Sequence, residues 1–205
     1  MELTIQEIKR KDHKKAIQFA ITGMHFDMYL KNRFLLNLYG TYFWYDELNQ
    51  ATQVIAAYDG DELVGVLLAG MKDEPQMYRS VGKTFFSKVF DFCQNLLYSD
   101  GVGPYDAANR EMYAEFTREN HPDGQIIFLA ADPNAKIKGV GTALLAELER
   151  REAGKQIYLY TDDICTYQFY EHRGFERVGE KDAVLDMGTH TVPLKCLLYS
   201  KRCQG

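Results

Sequence analysis

The sequence is short of the residues that mark several classes of protein. It has four cysteines in 205 residues and no Cys-x-x-Cys pair, which argues against a disulfide scaffold or a zinc finger. Its longest apolar run, Leu63–Met71, is too short to cross a bilayer, and Met1–Ala20 lacks the apolar core of a signal peptide. We therefore predict a cytoplasmic protein with reduced thiols and no membrane partner.

Positive charge is also scarce. Lys and Arg number 24 against 29 Asp and Glu, and the net charge of −5 argues against a nucleic-acid partner. The five histidines lack the spacing of metal ligands, so we predict no metal. The composition, 46% hydrophobic and 26% charged, is that of an ordinary globular protein. We predict a single domain over residues 1–205.

The most informative stretch predicts a strand, a glycine loop and a helix. Ile126–Ala131 is a continuous apolar run typical of a buried strand, and Asp132-Pro133-Asn134 ends it as a turn. Gly139 and Gly141 then precede Ala143–Glu149, a helix-forming run with one apolar face. A helix N-terminus after such a loop offers backbone N–H groups to an anion. The pattern favours a phosphate-binding loop, although two glycines also suit an ordinary turn.

Two common phosphate-binding motifs do not fit this loop. The nucleoside-triphosphate loop has four residues between its glycines, followed by Lys and Ser or Thr, and that spacing is absent. The dinucleotide fingerprint needs a third small residue where this chain has Leu144.

A second motif follows about thirty residues later. Gln156–Thr161 predicts a strand, Asp162 or Asp163 can begin a helix that runs to about His172, and Gly174 can end it. Together, the loop Lys136–Gly141 and the segment Phe169–Phe175 resemble two motifs of the GCN5-related N-acetyltransferase (GNAT) superfamily. The loop resembles its pyrophosphate-binding motif, and the segment resembles its Tyr-x-x-x-Gly-Phe motif.

The resemblance implies a fold and a set of site residues. The fold class is α/β (α+β), with a mixed, mostly antiparallel sheet of six or seven strands flanked by helices and a helical insertion at about 72–123. Acetyl-CoA is the implied acyl donor. Its pyrophosphate would be bound by the loop, and its pantetheine arm by the cofactor strand. The implied binding residues are Leu129, Ala130, Ala131, Lys136, Ile137, Lys138, Gly139, Val140, Gly141, Thr142 and Asp163.

Two of these positions depart from the superfamily pattern. Lys136 replaces the usual Arg or Gln, which keeps the charge and loses a planar fork. Asp163 stands where many members have an Asn that contacts the pantetheine arm, and a carboxylate cannot donate a hydrogen bond. Tyr170 matches the tyrosine that protonates the leaving thiolate.

The implied function is transfer of an acetyl group to a primary amine of a small molecule or peptide, by direct attack in a ternary complex. A non-catalytic acyl-CoA-binding sensor or interaction module is the alternative, and it would need the loop but not Tyr170. O-acyl transfer, a longer acyl chain and a covalent route through Cys165 stay open. The general base stays unassigned among Glu111, Glu115, Asp123 and a chain of water molecules.

The rest of the chain predicts the remaining elements and two further features. Apolar periodicity and turn signals predict strands over 3–8, 53–58, 62–70, 176–180 and 192–199 and helices from about 12, over 80–98 and over 107–118. The aromatic segment Phe26–Tyr45 is interpreted mainly as core, with Tyr39–Tyr45 as candidate substrate contacts. Glu111, Glu115 and Glu119 share a helix face, either solvated or attracting a cationic amine. The last strand is a candidate homodimer edge.

Overall fold

The chain alternates between two structural units. The computed structural model describes residues 3–78, 103–186 and 191–204. Residues 3–78, 124–155 and 203–204 build the first unit, and residues 103–123, 156–186 and 191–202 build the second. The helix predicted over 80–98 lies outside the described residues.

The described secondary structure consists of seven strands and six helices. The strands are β1 Leu3–Gln6, β2 Gln53–Asp59, β3 Glu62–Met71, β4 Gly124–Ala131, β5 Gln156–Asp162, β6 Glu176–Asp186 and β7 Thr191–Arg202. The helices are α1 His13–Gly23, α2 Phe26–Tyr29, α3 Arg33–Gln50, α4 Gly103–Phe116, α5 Val140–Arg151 and α6 Gln168–Glu171.

The first unit contains an antiparallel sheet in the order β1-β2-β3-β4. The predicted hairpin between β2 and β3 is confirmed, and its turn residue Gly60 has a φ of 61°, in the region that favours glycine. Helices α1 and α3 pack on this sheet through a core that includes Trp44, Tyr58 and Phe128. Phe26 and Trp44 are buried and Tyr39 and Phe43 pack against this core, as interpreted, whereas Phe34 is 74% exposed and Tyr45 is 36% exposed.

The second unit contains an antiparallel sheet in the order β5-β7-β6. Helix α4 packs against β6 and β7, and its buried residues Met112 and Phe116 meet Leu194 and Leu198 of β7. Strand β6 runs to Asp186, six residues beyond its predicted end at 180, because it continues as the partner of β7.

The last described residues return to the first unit. The Cys203 N–H donates to the Lys155 carbonyl oxygen at 2.8 Å, and the Gly154 N–H donates to the Cys203 carbonyl oxygen at 3.0 Å. Cys203 is buried. Lys155, which precedes β5, and Cys203, which follows β7, are thus hydrogen-bonded to each other within the first unit.

The seven strands and their flanking helices confirm the predicted fold class. No helix among the described residues is long and apolar enough to cross a membrane. The single domain and its insertion at about 72–123 stay predictions.

Candidate active site

Strand β4 is irregular near its middle. Leu68 of β3 pairs with Phe128 and Ala69 pairs with Ile126, so Ile127 has no partner across the strand pair. This is a β-bulge, in which one extra residue interrupts the ladder. Burial alternates along β4, and Ile127 and Leu129 are only half-buried. The predicted strand is present, but although Ile126–Ala131 is apolar throughout, only Ile126 and Phe128 of this run are fully buried.

Beyond the bulge, β4 pairs regularly with β3. Leu129, Ala130 and Ala131 lie opposite Leu67, Val66 and Gly65. In the order of strands within the first unit, β4 comes last.

A glycine fixes where α5 starts on this sheet. A Cβ added to Gly65 would lie 2.5 Å from Val140 Cγ1 and 3.1 Å from the Ala130 carbonyl oxygen. Only a residue without a Cβ permits so close an approach. The first residue of α5 therefore lies directly against β3, next to the end of β4.

The loop between β4 and α5 is held at its start by Asp132. The Asp132 N–H donates to the Val64 carbonyl oxygen at 2.8 Å, and Asp132 Oδ1 accepts from the Asn134 N–H at 2.9 Å. Its Oδ2 pairs with Lys15 Nζ at 3.2 Å. These contacts confirm that Asp132 is a turn residue.

Gly139 ends the loop in the left-handed region. It is the N-cap of α5 with a φ of 81°, and it offers no side chain to cap the first turn. A Cβ built on Gly139 would meet no atom within 4 Å, so the space beside it is open. An open helix N-terminus suits an anionic ligand, because its N–H groups and its dipole favour negative charge. These residues fit the pyrophosphate of coenzyme A.

Two lysines add positive charge to this loop. Lys136 and Lys138 are exposed, and neither forms an ion pair with any residue that the structure describes. Ile137 lies between them and is half-buried, whereas Thr142 is exposed on the first turn of α5. The predicted loop residues Lys136–Thr142 therefore lie together.

The second motif begins with a different turn. Asp162 Oδ1 accepts from the Ile164 N–H at 3.0 Å and from the Cys165 N–H at 2.9 Å. Because these bonds hold the backbone in a turn, the helix predicted from Asp162 or Asp163 begins only at Gln168. Gly174 follows it with a φ of 76°, as expected for a residue that ends a helix. Asp162, the last residue of β5, is thus the capping residue of a turn with two bonded amides and not the start of the predicted helix.

Tyr170 lies on the short helix α6 among aromatic rings. Its ring centroid is 5.7 Å from that of Phe175 and 6.4 Å from that of Tyr199. Burial, reinforced by nearby Cys165, raises the pKa of Tyr170 above its usual range. The phenol therefore stays protonated at neutral pH and is able to donate a proton.

Two other residues of this turn have structural partners. Asp163 Oδ1 accepts from the Lys195 N–H at 2.8 Å, and the Asp163 N–H donates to the Lys195 carbonyl oxygen at 3.2 Å. Burial raises the pKa of Cys165 to about 12. A covalent route through Cys165 would need a lowered pKa, whereas burial shifts the pKa of this thiol in the opposite direction.

The carboxylates considered as bases are also engaged. Glu111 and Glu115 both pair with Lys181, at 2.6 and 3.3 Å. The hydrogen bond from Lys181 lowers the pKa of Glu111, opposite to what a base near neutrality needs. Glu119 lies beyond the end of α4. Asp123 Oδ2 accepts from the Gln156 N–H at 2.7 Å and so fixes the start of β5.

Comparisons with known proteins bear on both motifs. The family model described as the acetyltransferase (GNAT) family matches residues 105–175, a range that contains the glycine loop and Tyr170. The segment 105–175 thus carries the GNAT acetyltransferase signature. No curated protein matches the chain at a significant level.

Solved structures share the fold of this chain. The histone acetyltransferase HPA2 and related acetyltransferase from Corynebacterium glutamicum is 17% identical with a TM-score of 0.62, over 100% of this chain and 98% of that one. The PaiA N-acetyltransferase from Thermoplasma acidophilum, in complex with coenzyme A, is 12% identical with a TM-score of 0.55, over 98% and 99%. An agmatine N-acetyltransferase is 12% identical with a TM-score of 0.56, over 98% and 100%. At these identities the structures show a common fold.

No group of three or more His, Cys, Asp or Glu side chains gathers to hold a metal ion in the described part of the chain.

Proposed function

We propose that this protein transfers an acetyl group from acetyl-CoA to a primary amine, by direct attack in a ternary complex. The observation that carries the proposal is the open N-terminus of α5, where Gly139 takes a left-handed conformation with free space beside it. The match of the GNAT family model over the same segment supports it.

The residues that would hold acetyl-CoA follow from this geometry and from the superfamily. The backbone N–H groups of the loop Lys136–Thr142 would bind the pyrophosphate, with charge from Lys136 and Lys138. The main chain of Leu129–Ala131 would pair with the pantetheine arm, as an added peptide strand does. Asp163 would accept one hydrogen bond at most through Oδ2, because its Oδ1 already bonds the Lys195 amide.

When bound, acetyl-CoA supplies an acyl group activated as a thioester. Tyr170 would give its proton to the departing sulfur, a role assigned from the superfamily motif and supported by a phenol that stays protonated. A main-chain N–H of β4 would stabilise the negative charge that develops on the carbonyl oxygen. The amine must lose a proton before it can attack, because an alkyl ammonium has a pKa of about 10.

The acceptor class is a primary amine on a small molecule or a peptide. One structure with the same fold is an agmatine N-acetyltransferase, so agmatine is a reasonable first probe. We also infer a cytoplasmic location from the composition, and the three described cysteines, Cys165, Cys196 and Cys203, are free thiols. The prediction that β7 is a homodimer edge is wrong, because β7 pairs with β5 on one side and with β6 on the other; a homodimer itself stays a prediction.

The decisive experiment is calorimetric titration with acetyl-CoA, coenzyme A and ATP. We expect saturable binding of both coenzyme A species and none of ATP. Gly139→Val should weaken acetyl-CoA binding at least tenfold, because its side chain would enter the space beside the helix N-terminus.

Gly154→Val is the matched control for this experiment. Gly154 has a φ of 84°, close to the 81° of Gly139, and a Cβ there would also meet nothing within 4 Å. Both variants strain a left-handed residue by roughly 1–2 kcal/mol. Only Gly139→Val should affect binding. Equal losses in both variants, or no binding of any coenzyme A species to the wild type, would refute the proposed site.

A further inference from the structure

Glu47 is an acidic residue on the inner face of α3. Phe43 and Trp44 precede it by one helical turn, and Leu48 follows it. Phe43 packs against the core, and Trp44 and Leu48 are fully buried. The Glu47 side chain is half-buried, so it lies on a stripe of core residues but keeps contact with solvent.

The neighbours of Glu47 place it over the irregular part of β4. The Phe128 ring lies 5.9 Å from that of Phe43 and 6.2 Å from that of Trp44. One turn beyond Glu47, the Gln50 carbonyl oxygen lies 3.5 Å from a Cβ placed on Gly70, and Ile127 Cδ1 lies 3.2 Å from the same point. Along α3, Glu47 lies between the two aromatic residues that contact Phe128 and Gln50, which lies near Ile127. We infer from this position that Glu47 is level with Ile127 and Phe128 of β4.

This stretch of β4 is where the acyl end of the donor belongs. Ile127 is the bulged residue, and its main chain lies outside the regular pairing with β3. The proposed pyrophosphate loop follows the C-terminal end of β4, and the proposed arm pairs with Leu129–Ala131. The thioester would then lie at the other end of the arm, towards Phe128 and Ile127.

The Glu47 carboxylate has no hydrogen-bond or ion-pair partner among the described residues. The titratable groups around this part of α3 are Asp46 and Tyr45 on the helix, His13 beside Trp44 and Tyr45, and Tyr78 beside His13. Burial, with a smaller contribution from Asp46, raises the pKa of Glu47 to about 8.

We propose that Glu47 is the general base that removes a proton from the acceptor ammonium, an assignment that rests on the proposed acetyl transfer. Glu47 takes one of the three ammonium protons and releases it to water. The nitrogen lone pair then forms the bond to the acyl carbon, and the C–S bond breaks with its electron pair on sulfur. A second proton ends on that sulfur, and the third stays on the amide nitrogen.

The first test measures the ionisation of Glu47 itself, without turnover. Protein labelled with ¹³C at the glutamate carboxyl carbons is titrated by NMR, and Glu47→Gln identifies the Glu47 resonance by its loss. We expect Glu47 to titrate near pH 8 and its resonance to move when acetyl-CoA is added. A titration between pH 4 and 5, or no response to saturating acetyl-CoA, would overturn the assignment.

The second test measures turnover against pH with agmatine as acceptor. Glu47→Gln should lower kcat by about 100-fold or more, as loss of a general base does, with KM for acetyl-CoA unchanged. The rise in kcat towards pH 8 should disappear in this variant. Full activity of Glu47→Gln would overturn the assignment even if the pKa of Glu47 is raised.

Asp46→Asn is the matched variant, because it removes the neighbouring charge and leaves the base in place. It should keep the maximal kcat and move the rise in kcat, and the NMR titration of Glu47, to lower pH. A failure of acetyl-CoA to bind the wild type would refute the proposed function itself, and calorimetry shows this before any Glu47 variant is studied.

Discussion

Two segments of this chain have the same order of strand, turn and helix, yet the polar groups of their turns differ in how far they are hydrogen-bonded within the protein. The first runs from β4 to α5 and the second from β5 to α6. Each turn begins with an aspartate, Asp132 or Asp162, whose Oδ1 accepts a backbone N–H two residues later. The local sequence signal is therefore the same at both starts.

The segments diverge after these aspartates. The first continues through two lysines without ion pairs among the described residues and a left-handed Gly139 into a helix of 12 residues. In the second, Asp162 bonds a further amide, Asp163 bonds the Lys195 amide, and the helix has four residues. The first turn thus leaves donors and charge available to a ligand, whereas the second satisfies its polar groups internally. We infer that the first binds and the second positions Tyr170.

The largest effect should come from Tyr170→Phe. If the second segment positions a proton donor, this change should lower kcat by about 100-fold or more. Acetyl-CoA affinity should stay the same, because the phenylalanine ring keeps the contacts with Phe175 and Tyr199. Steady-state kinetics and calorimetry together measure both quantities, with Tyr167→Phe as the control from the same turn. Unchanged turnover would remove Tyr170 from the mechanism, and an absence of turnover in the wild type despite tight binding would favour the acyl-CoA sensor.

The charge of the first turn should matter next. Replacing Lys136 and Lys138 together by alanine should weaken acetyl-CoA binding about tenfold at low ionic strength, and less at high salt because exposed charges are screened. The control replaces Lys14 and Lys72, which are also exposed in the first unit. Calorimetry at two salt concentrations measures the effect. Equal affinity in both double variants would show that the backbone of the loop acts without the lysines.

Asp162→Ala should instead affect stability. It removes the acceptor for two backbone amides, and loss of such a cap costs about 1–2 kcal/mol. Asp162→Asn keeps an acceptor oxygen and should cost less. Urea unfolding measures the free energy, and both variants should bind acetyl-CoA as the wild type does. Unchanged stability in Asp162→Ala would mean that solvent replaces the cap.

The smallest effect is expected at Cys165. Because burial raises its pKa to about 12, the thiolate fraction at pH 7 to 8 is very small and grows only as the pH approaches 12. Iodoacetamide should therefore label Cys165 slowly, as followed by mass spectrometry, and Cys165→Ser should keep its activity within about twofold. Rapid labelling at pH 7 would contradict the view that the second turn carries no reactive group.

The sequence predicts the first segment well because its signals are local. Asp59-Gly60-Asp61 between apolar runs, and two glycines before a helix-forming run, act through backbone preferences that do not depend on distant residues. The observed hairpin agrees with them, and the predicted helix follows the loop but begins at Val140, so that Gly141 and Thr142 lie in its first turn. The ligand roles of Lys136–Thr142, Asp163 and Tyr170 stay predictions.

The features that the sequence does not reveal depend on tertiary contacts. The bulge at Ile127 lies in a run where every residue is apolar, so no change of pattern marks it. The capping by Asp162 competes with helix formation, and only the structure shows that the turn prevails. The sequence does carry a signal for Glu47, because this carboxylate lies on the same helical stripe as Phe43, Trp44 and Leu48. Periodicity alone would assign that whole stripe to the core.

The bonds that join Gly154 and Lys155 to Cys203 impose an order on biosynthesis. A ribosome must complete residues 156–202, which hold about two thirds of the described second unit, before Cys203 exists to pair with Lys155. The nascent chain therefore carries the glycine loop and α5 for the time it takes to translate 47 further residues without that closure. The hydrogen bonds from Cys203 to Gly154 and Lys155 are thus among the last contacts of the first unit to form.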